Sequence, residues 1–491
     1  MKYQSILNTI LIVVFSSQSF SSTKNVPFLL ANKNTAIENQ YQNSVNLLLR
    51  NLSYIDGRRG AIPAAPSRAN PDYYYHWVRD AALTTESLIG VYNSIQSRSP
   101  LKENLKRFFL DTIDFNILLQ RNSLNHLGLG EPKFYVSGDS FKKDWGRPQN
   151  DGPALRSIVN IELLSLAARE RWSEYPSMLA NLYNPRLNTF SVVKNDLEFV
   201  AHNWMRANFD LWEEVCGHHF YNLMAQRKAM HFGTMIAKYM KDPGAADYYQ
   251  KQMANISSQL DFFWNPSVNY IFATSYSNEA CYQSFSNRNR GRSGLDSAAL
   301  LGVLHSEMNQ VSFSVVDPRV FSTYLALKSL FSSIYNIGKI QFLNTPFGRY
   351  PEDTYDGYTT TSIGNPWFLI TTGSGEYLYR LATSYIRSNQ VVINFANQKY
   401  FSTLLNLGLR DGQVISSGQP QFKQIIDHLI SEADLYLLRV IFHTDENGST
   451  SEQFNRENGY MQGAPNLTWS YAAFITAKLR RDQILSTYRT R

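Results

Sequence analysis

Cysteine is nearly absent from this 491-residue chain, which has only Cys216 and Cys281. That excludes a disulfide-dense scaffold and a cysteine-based zinc fold, and leaves open whether the two pair. Long hydrophobic runs are missing as well. Ile6–Phe15 is too short for a bilayer core, which takes about 20 residues, and no later stretch is long and apolar enough, so no membrane partner is expected. Runs of like charge are few. The formal net charge is +7, but Lys and Arg are dispersed, with only short clusters such as Arg288–Arg292, and no nucleic-acid partner is expected. Gly128-Leu-Gly130 and Gly373-Ser-Gly375 lack the third glycine and the strand–turn–helix setting of a dinucleotide site. His218 and His219 are adjacent, so on a helix they would diverge, unlike spaced metal ligands. Neither a cofactor nor a metal is expected.

Aromatic residues, by contrast, make up a heavy 14% of the chain; most must be core, but aromatic-rich surfaces suit stacking on sugar rings. The amino terminus has the grammar of a secretory signal. Lys2 supplies the positive end, Ile6–Phe15 the apolar segment, and Ser19-Phe20-Ser21 a small-x-small cleavage pattern. Residues 1–22 are therefore expected to be removed and 23–491 to form one secreted catalytic domain, a monomer. Four Asn-x-Ser/Thr sequons begin at Asn51, Asn255, Asn447 and Asn466.

Helical periodicity dominates. Asp151-Gly-Pro153 reads as a cap with proline in the first turn, followed by Leu155, Ile158, Val159, Leu163 and Leu166 at helical spacing. Similar patterns cover 36–49, 80–92, 101–119, 220–240, 245–263, 295–308, 320–335, 366–386, 398–409, 422–438 and 468–485. About a dozen helices and few alternating strands predict an all-α chain. The polar, motif-rich pieces fall between them, where loops on a rigid scaffold carry function.

One such piece is Asn208–Gly217, NFDLWEEVCG. A carboxyl group set against Trp212, Leu211 and Val215 resists ionisation and can serve as an acid. Asp210 could instead cap a helix with Glu213 as its third-position partner, and on that helix Glu213 and Glu214 would point about 100° apart. Cleavage of a sugar–sugar bond takes a second carboxylate, and Glu452 in Ser451-Glu452-Gln453 is available. Rigid guanidinium forks for hydroxyls stand at Arg79 and Arg349.

Six blocks in order carry a resemblance. They are Tyr73-Tyr-Tyr-His-Trp77-Val-Arg79-Asp80, Trp145-Gly-Arg147-Pro-Gln149-Asn-Asp151, Asp210-Leu-Trp212-Glu213-Glu214, Gly348-Arg349-Tyr-Pro-Glu-Asp353-Thr-Tyr355, Gly364-Asn-Pro-Trp367 and Ser451-Glu452-Gln453. The set resembles the glucoamylases, the glucan 1,4-alpha-glucosidases of glycoside hydrolase family 15, from about Tyr54 to Tyr471. The resemblance implies an (α/α)6 barrel and inverting release of β-glucose from the non-reducing ends of α-1,4-glucans. It implies Glu213 as general acid and Glu452 as general base. It places Arg79, Asp80, Arg349, Glu214, Tyr73, Trp77, Trp145, Trp212 and Trp367 around the sugar, with Arg147, Asp353 and Tyr355 also expected at the substrate. Cys216, His218, His76 and Val78 depart from the family's flanks, and no starch-binding module is expected. A glucodextranase- or trehalase-like hydrolase on the same scaffold is one alternative, and a non-catalytic carbohydrate-binding or regulatory barrel is another.

Overall fold

The computed structural model describes residues 25–53, 58–95, 99–124, 128–186, 189–275, 281, 292–308, 311–340 and 342–489. The expected signal, 1–22, lies outside the described residues. The helices in chain order are α1 (Val26–Ala31), α2 (Lys33–Ser53), α3 (Val78–Ser94), α4 (Pro100–Leu124), α5 (Asp151–Arg169), α6 (Tyr175–Leu182), α7 (Val192–Asn203), α8 (Phe220–Tyr239), α9 (Pro243–Leu260), α10 (Ser297–Ser306), α11 (Pro318–Ile334), α12 (Phe368–Ser388), α13 (Gln398–Leu405), α14 (Pro420–His443) and α15 (Thr468–Arg489).

Their packing closes a ring. α3 lies against α5, α5 against α8, α8 against α10, α10 against α12, α12 against α15, and α15 against α3 again. Outside it, α2 packs on α15, α4 on α3, α7 on α5, α9 on α8, α11 on α10 and α14 on α12. Outer and inner helices alternate along the chain, so this is the all-α (α/α)6 barrel. The inner helices explain a feature of the pattern. α5 buries side chains nearly all round, from Asp151 to Ala167, because it has a neighbour on every side and no solvent stripe to keep polar. Close approach is achieved with small residues: a Cβ on Gly375 of α12 would come within 3.0 Å of the Ala433 carbonyl of α14.

Three helices, α1, α6 and α7, escape the periodicity. The first turn of α7 carries Val192-Val193 and the buried Lys194, a poor helix opening by propensity. Tertiary pairs hold it instead: Asp196 receives Arg156 Nη2 at 2.7 Å and Lys194 Nζ meets Asp242 at 2.8 Å. Among the described residues, eleven short strands, all in small antiparallel sheets, decorate the barrel. Those that matter below are β1 (Tyr75–Trp77) with β2 (Lys133–Tyr135), β3 (Asn208–Phe209) with β4 (Cys216–His219), and β10 (Ser451–Phe454) with β11 (Met461–Pro465).

Candidate active site

All six inner helices begin at one end of the barrel, and a cavity of about 380 Å³ lies there. Its walls come from the segments leading into those helices: Trp77 before α3, Trp145 before α5, 211–214 before α8, Trp367 before α12 and Leu467 before α15. Helix N-termini carry positive partial charge, so carboxylates gathered at this end are favoured.

Glu213 and Glu214 sit in the turn of a hairpin, not on a helix. β3 and β4 pair Asn208 with Gly217 and Phe209 with Cys216. Asp210 does cap backbone donors, but those of a tight turn: its Oδ1 accepts from Glu214 N at 2.7 Å and Val215 N at 2.8 Å. Glu213 takes φ = 64°, a left-handed conformation that a non-glycine residue adopts at a cost. The outcome is divergence of the two side chains.

Glu213 turns toward the indoles. Its Oε1 accepts from Trp77 Nε1 at 2.8 Å, Gln149 Nε2 at 3.0 Å and Arg79 Nη2 at 3.4 Å, while Oε2 accepts from Trp145 Nε1 at 2.9 Å. Oε1 is saturated and Oε2 is not. Glu214 turns to the cations. Its Oε1 accepts from Arg349 Nη2 at 3.1 Å, and its Oε2 from Arg292 Nη2 and the Tyr350 hydroxyl, each at 2.5 Å. Burial opposes ionisation of Glu214, yet Arg349 and Arg292 outweigh it and hold this carboxyl below the usual range.

Glu452 arrives from the far end of the sequence. The β10–β11 ladder slips between Ser451 and Gln453, a bulge that lets the intervening side chain leave the sheet pattern. Glu452 is 2% exposed and lines the same cavity as Glu213. Its Oε1 accepts from the Tyr73 hydroxyl at 2.9 Å and its Oε2 from the Tyr355 hydroxyl at 3.0 Å, and the two phenol oxygens are 2.9 Å apart. Burial pushes Glu452 up to about 7, against these phenol donors and Arg349. Gly463 of β11, at φ = 76°, lies so near that a Cβ there would collide with Glu452 Oε2.

Arg79 is fixed by Asp151 at 3.0 Å and Gln149 at 3.1 Å, with its Nε 3.4 Å from Asp80. Burial raises Asp80 to about 6, with Arg79 opposing and Glu213 adding to the rise. Trp212 donates from Nε1 to both oxygens of Asp296, at 3.0 and 3.1 Å, and Asp296 also caps α10 through Ala298 N at 2.7 Å. Burial carries Asp296 up to about 7.

Of the residues expected at the sugar, Tyr73, Trp77, Arg79, Asp80, Trp145, Trp212, Glu214, Arg349, Tyr355 and Trp367 line the cavity with Glu213 and Glu452. Two do not, and their expected place is corrected. Arg147 is 3% exposed and spends its fork on Glu131, at 2.8 and 3.0 Å, and on the Lys143 and Phe141 carbonyls, so it ties down the loop that carries Trp145. Asp353 stands behind Arg349, bonded to Nε at 2.8 Å and Nη2 at 2.5 Å, and its second role is to receive Tyr355 N at 2.8 Å. Sequence reasoning did not single out Arg292, Tyr350, Asp296 or Trp469. Arg292 follows a polar stretch with no motif, and only its ion pair with Glu214 reveals it. The question left open for the cysteines is answered: Cys216 and Cys281 are joined, 5.9 Å apart at Cα. His219 is structural, bonded to Thr274 Oγ1 at 2.9 Å and the Asn208 carbonyl at 2.8 Å.

A closed ring of helix hairpins, with carboxyl groups, indoles and guanidiniums converging at one mouth, defines the class: a helical-barrel glycoside hydrolase. The chain belongs to the glycosyl hydrolases family 15, whose pattern matches residues 38–479. It is similar to a glucoamylase of Saccharomycopsis fibuligera, 32% identical over 95% of this chain and 93% of that one. An intracellular, sporulation-specific glucoamylase of Saccharomyces cerevisiae is 31% identical over 97% and 88%. Among solved structures, a Saccharomycopsis fibuligera glucoamylase superposes with a TM-score of 0.83 at 30% identity, covering 96% of this chain and 99% of that one.

Proposed function

We propose that this chain removes glucose one unit at a time from the non-reducing ends of α-1,4-glucans such as starch, glycogen and maltooligosaccharides, and does so by single displacement with inversion. The observation that carries the reading is the separate anchoring of two carboxyl groups in one cavity. Glu213 is gripped by indoles, an amide and a guanidinium, and Glu452 by two phenols. Between their anchors, the Tyr73 and Trp77 rings are 5.6 Å apart. The two carboxyl groups share no donor, which suits roles on opposite faces of a sugar ring with water between.

Glu213 is the general acid. With Oε1 saturated, its proton resides on Oε2 and passes to the leaving glycosidic oxygen, after which Trp145 and the Oε1 donors stabilise the carboxylate. Glu452 is the general base: it takes a proton from the water that attacks the anomeric carbon, and the C–O bond to the leaving sugar breaks as the new one forms. Arg79, Asp80 and Arg349 hold hydroxyls, Glu214 binds the next sugar, and Trp77, Trp145, Trp212 and Trp367 form the walls. The exported location rests on the signal-like residues 1–22.

Proton NMR taken early in maltose hydrolysis tests the mechanism. β-glucose must appear first, and early α-glucose overturns single displacement. Release of glucose from trehalose but not from maltose would favour the trehalase-like reading instead. For export, the secreted protein from a native culture must begin near residue 23, and activity confined to the cells contradicts it.

A further inference from the structure

Behind the two indoles that hold Glu213 lies a cation with no part in the mechanism above. Lys133 belongs to β2, directly opposite Trp77 in the β1–β2 ladder, and is 3% exposed. Its Nζ sits 3.6 Å from the ring centroid of Trp145, 4.4 Å from that of Trp77, 4.1 Å from Tyr75 and 4.3 Å from Phe141. An ammonium boxed by four rings is attracted by their π faces but has lost most of its hydration. The cost is visible: burial pushes Lys133 down to about 8, with Glu213 and Asp72 opposing and Arg147 and Lys143 adding to the fall. Packing alone would be served by an uncharged chain of the same length.

We propose that Lys133 is a positioning residue for Glu213, its ammonium acting through the Trp77 and Trp145 rings to strengthen the acid. A positive charge on the π face draws electron density from an indole and makes its N–H a better donor. Both polarised donors point at the same carboxyl, at 2.8 and 2.9 Å. They bind the carboxylate more tightly than the carboxylic acid, so the effect grows as the proton leaves Oε2 for the glycosidic oxygen. The field of the ammonium acts in the same direction. Arg79 and Asp80 from α3 also face Glu213, as does Asp151 of α5 through Arg79, and Glu214 and Asp144 line the same cavity. None of Arg79, Asp80 and Asp151 touches the indoles' outer faces, so Lys133 can be varied while they stay in place.

The proposal rests on Glu213 being the acid, and the test separates the two ideas. Lys133→Met keeps the length and removes the charge, while Lys133→Arg keeps a charge that can stack on rings. Rates on maltose are compared with rates on α-D-glucosyl fluoride, whose leaving group asks for less protonation. For Lys133→Met we expect the alkaline limb of kcat/KM on maltose to move up by about one pH unit, from loss of one cation at effective dielectric about 20. Maltose turnover falls by up to about 10-fold, the most that one unit of acid strength can cost, and fluoride turnover falls much less. Lys133→Arg restores the limb. An unmoved limb, or equal losses on both substrates, overturns the proposal. If Lys133→Met does not fold, Lys133→Gln carries the same comparison. In nitrogen-15 spectra of tryptophan-labelled protein, the Trp77 and Trp145 indole protons must shift upfield in the uncharged variant, whatever Glu213 does. If instead Glu213→Gln hydrolyses maltose normally, the acid assignment has failed and the indole shifts still judge Lys133.

Discussion

Glu452→Gln should make the protein more stable relative to the parent at high pH than at low pH. In the folded chain burial holds Glu452 at about 7, against 4.5 for an ordinary glutamate. The folded state therefore keeps a proton that the unfolded state has released. The stabilisation from that proton is full below pH 4.5 and is lost as pH rises through about 7. A rise of about 2.5 units at 1.36 kcal/mol each is about 3 kcal/mol of order-of-magnitude penalty by pH 8. Hydrogen bonding points the same way. Three oxygen contacts join Glu452, Tyr73 and Tyr355, and the ionised group brings only the two phenol protons, whereas a neutral acid brings a third. A glutamine amide mimics the neutral form and does not titrate. For a chain of this length an unfolding entropy near 1 kcal/mol/K converts the penalty to a melting-point difference of about 3 °C. Calorimetry at pH 4 and pH 8 should thus show the variant gaining about that much on the parent between the two, while hydrolysis falls by about 10²–10⁴-fold. A melting-point difference that is the same at both pH values refutes the reasoning.

Gly463→Ala should lower kcat on maltose more than it lowers stability, since its methyl collides with Glu452 Oε2, and the cost at positive φ is about 1 kcal/mol; unchanged kcat in steady-state assays would contradict this. Replacing Cys216 and Cys281 by serine should destabilise by about 4 kcal/mol on loop-closure entropy for a separation of 65 residues, read by thermal unfolding. In a host that glycosylates, peptide mapping should find sugar on the exposed Asn255 and Asn447 but none on Asn51, which is 2% exposed with its amide bonded to the Asn466 carbonyl at 2.8 Å.

The helices were legible where one face packs and another meets water, as in α9 and α14, because apolar residues then recur at the helical period. α7 was not, because what keeps it helical is Arg156 and Asp242, contributed by other parts of the chain. At the site, residue type was readable and orientation was not. Arg147 and Arg349 look alike in their motifs, yet one fork is consumed by Glu131 and backbone carbonyls while the other, steadied by Asp353, faces the cavity.

By itself the sequence determined the helical class, the order of the six blocks and the acids available for chemistry, since these depend on local periodicity and on side-chain identity. The tertiary structure alone decided the closure of the ring, the left-handed turn that parts Glu213 from Glu214, and the delivery of Glu452 to their cavity by a bulged strand. The ring's closure and the meeting of the two acids are set by contacts between residues hundreds of positions apart, such as Tyr73 with Glu452, and no local pattern encodes which of many such contacts lowers the free energy of the whole chain.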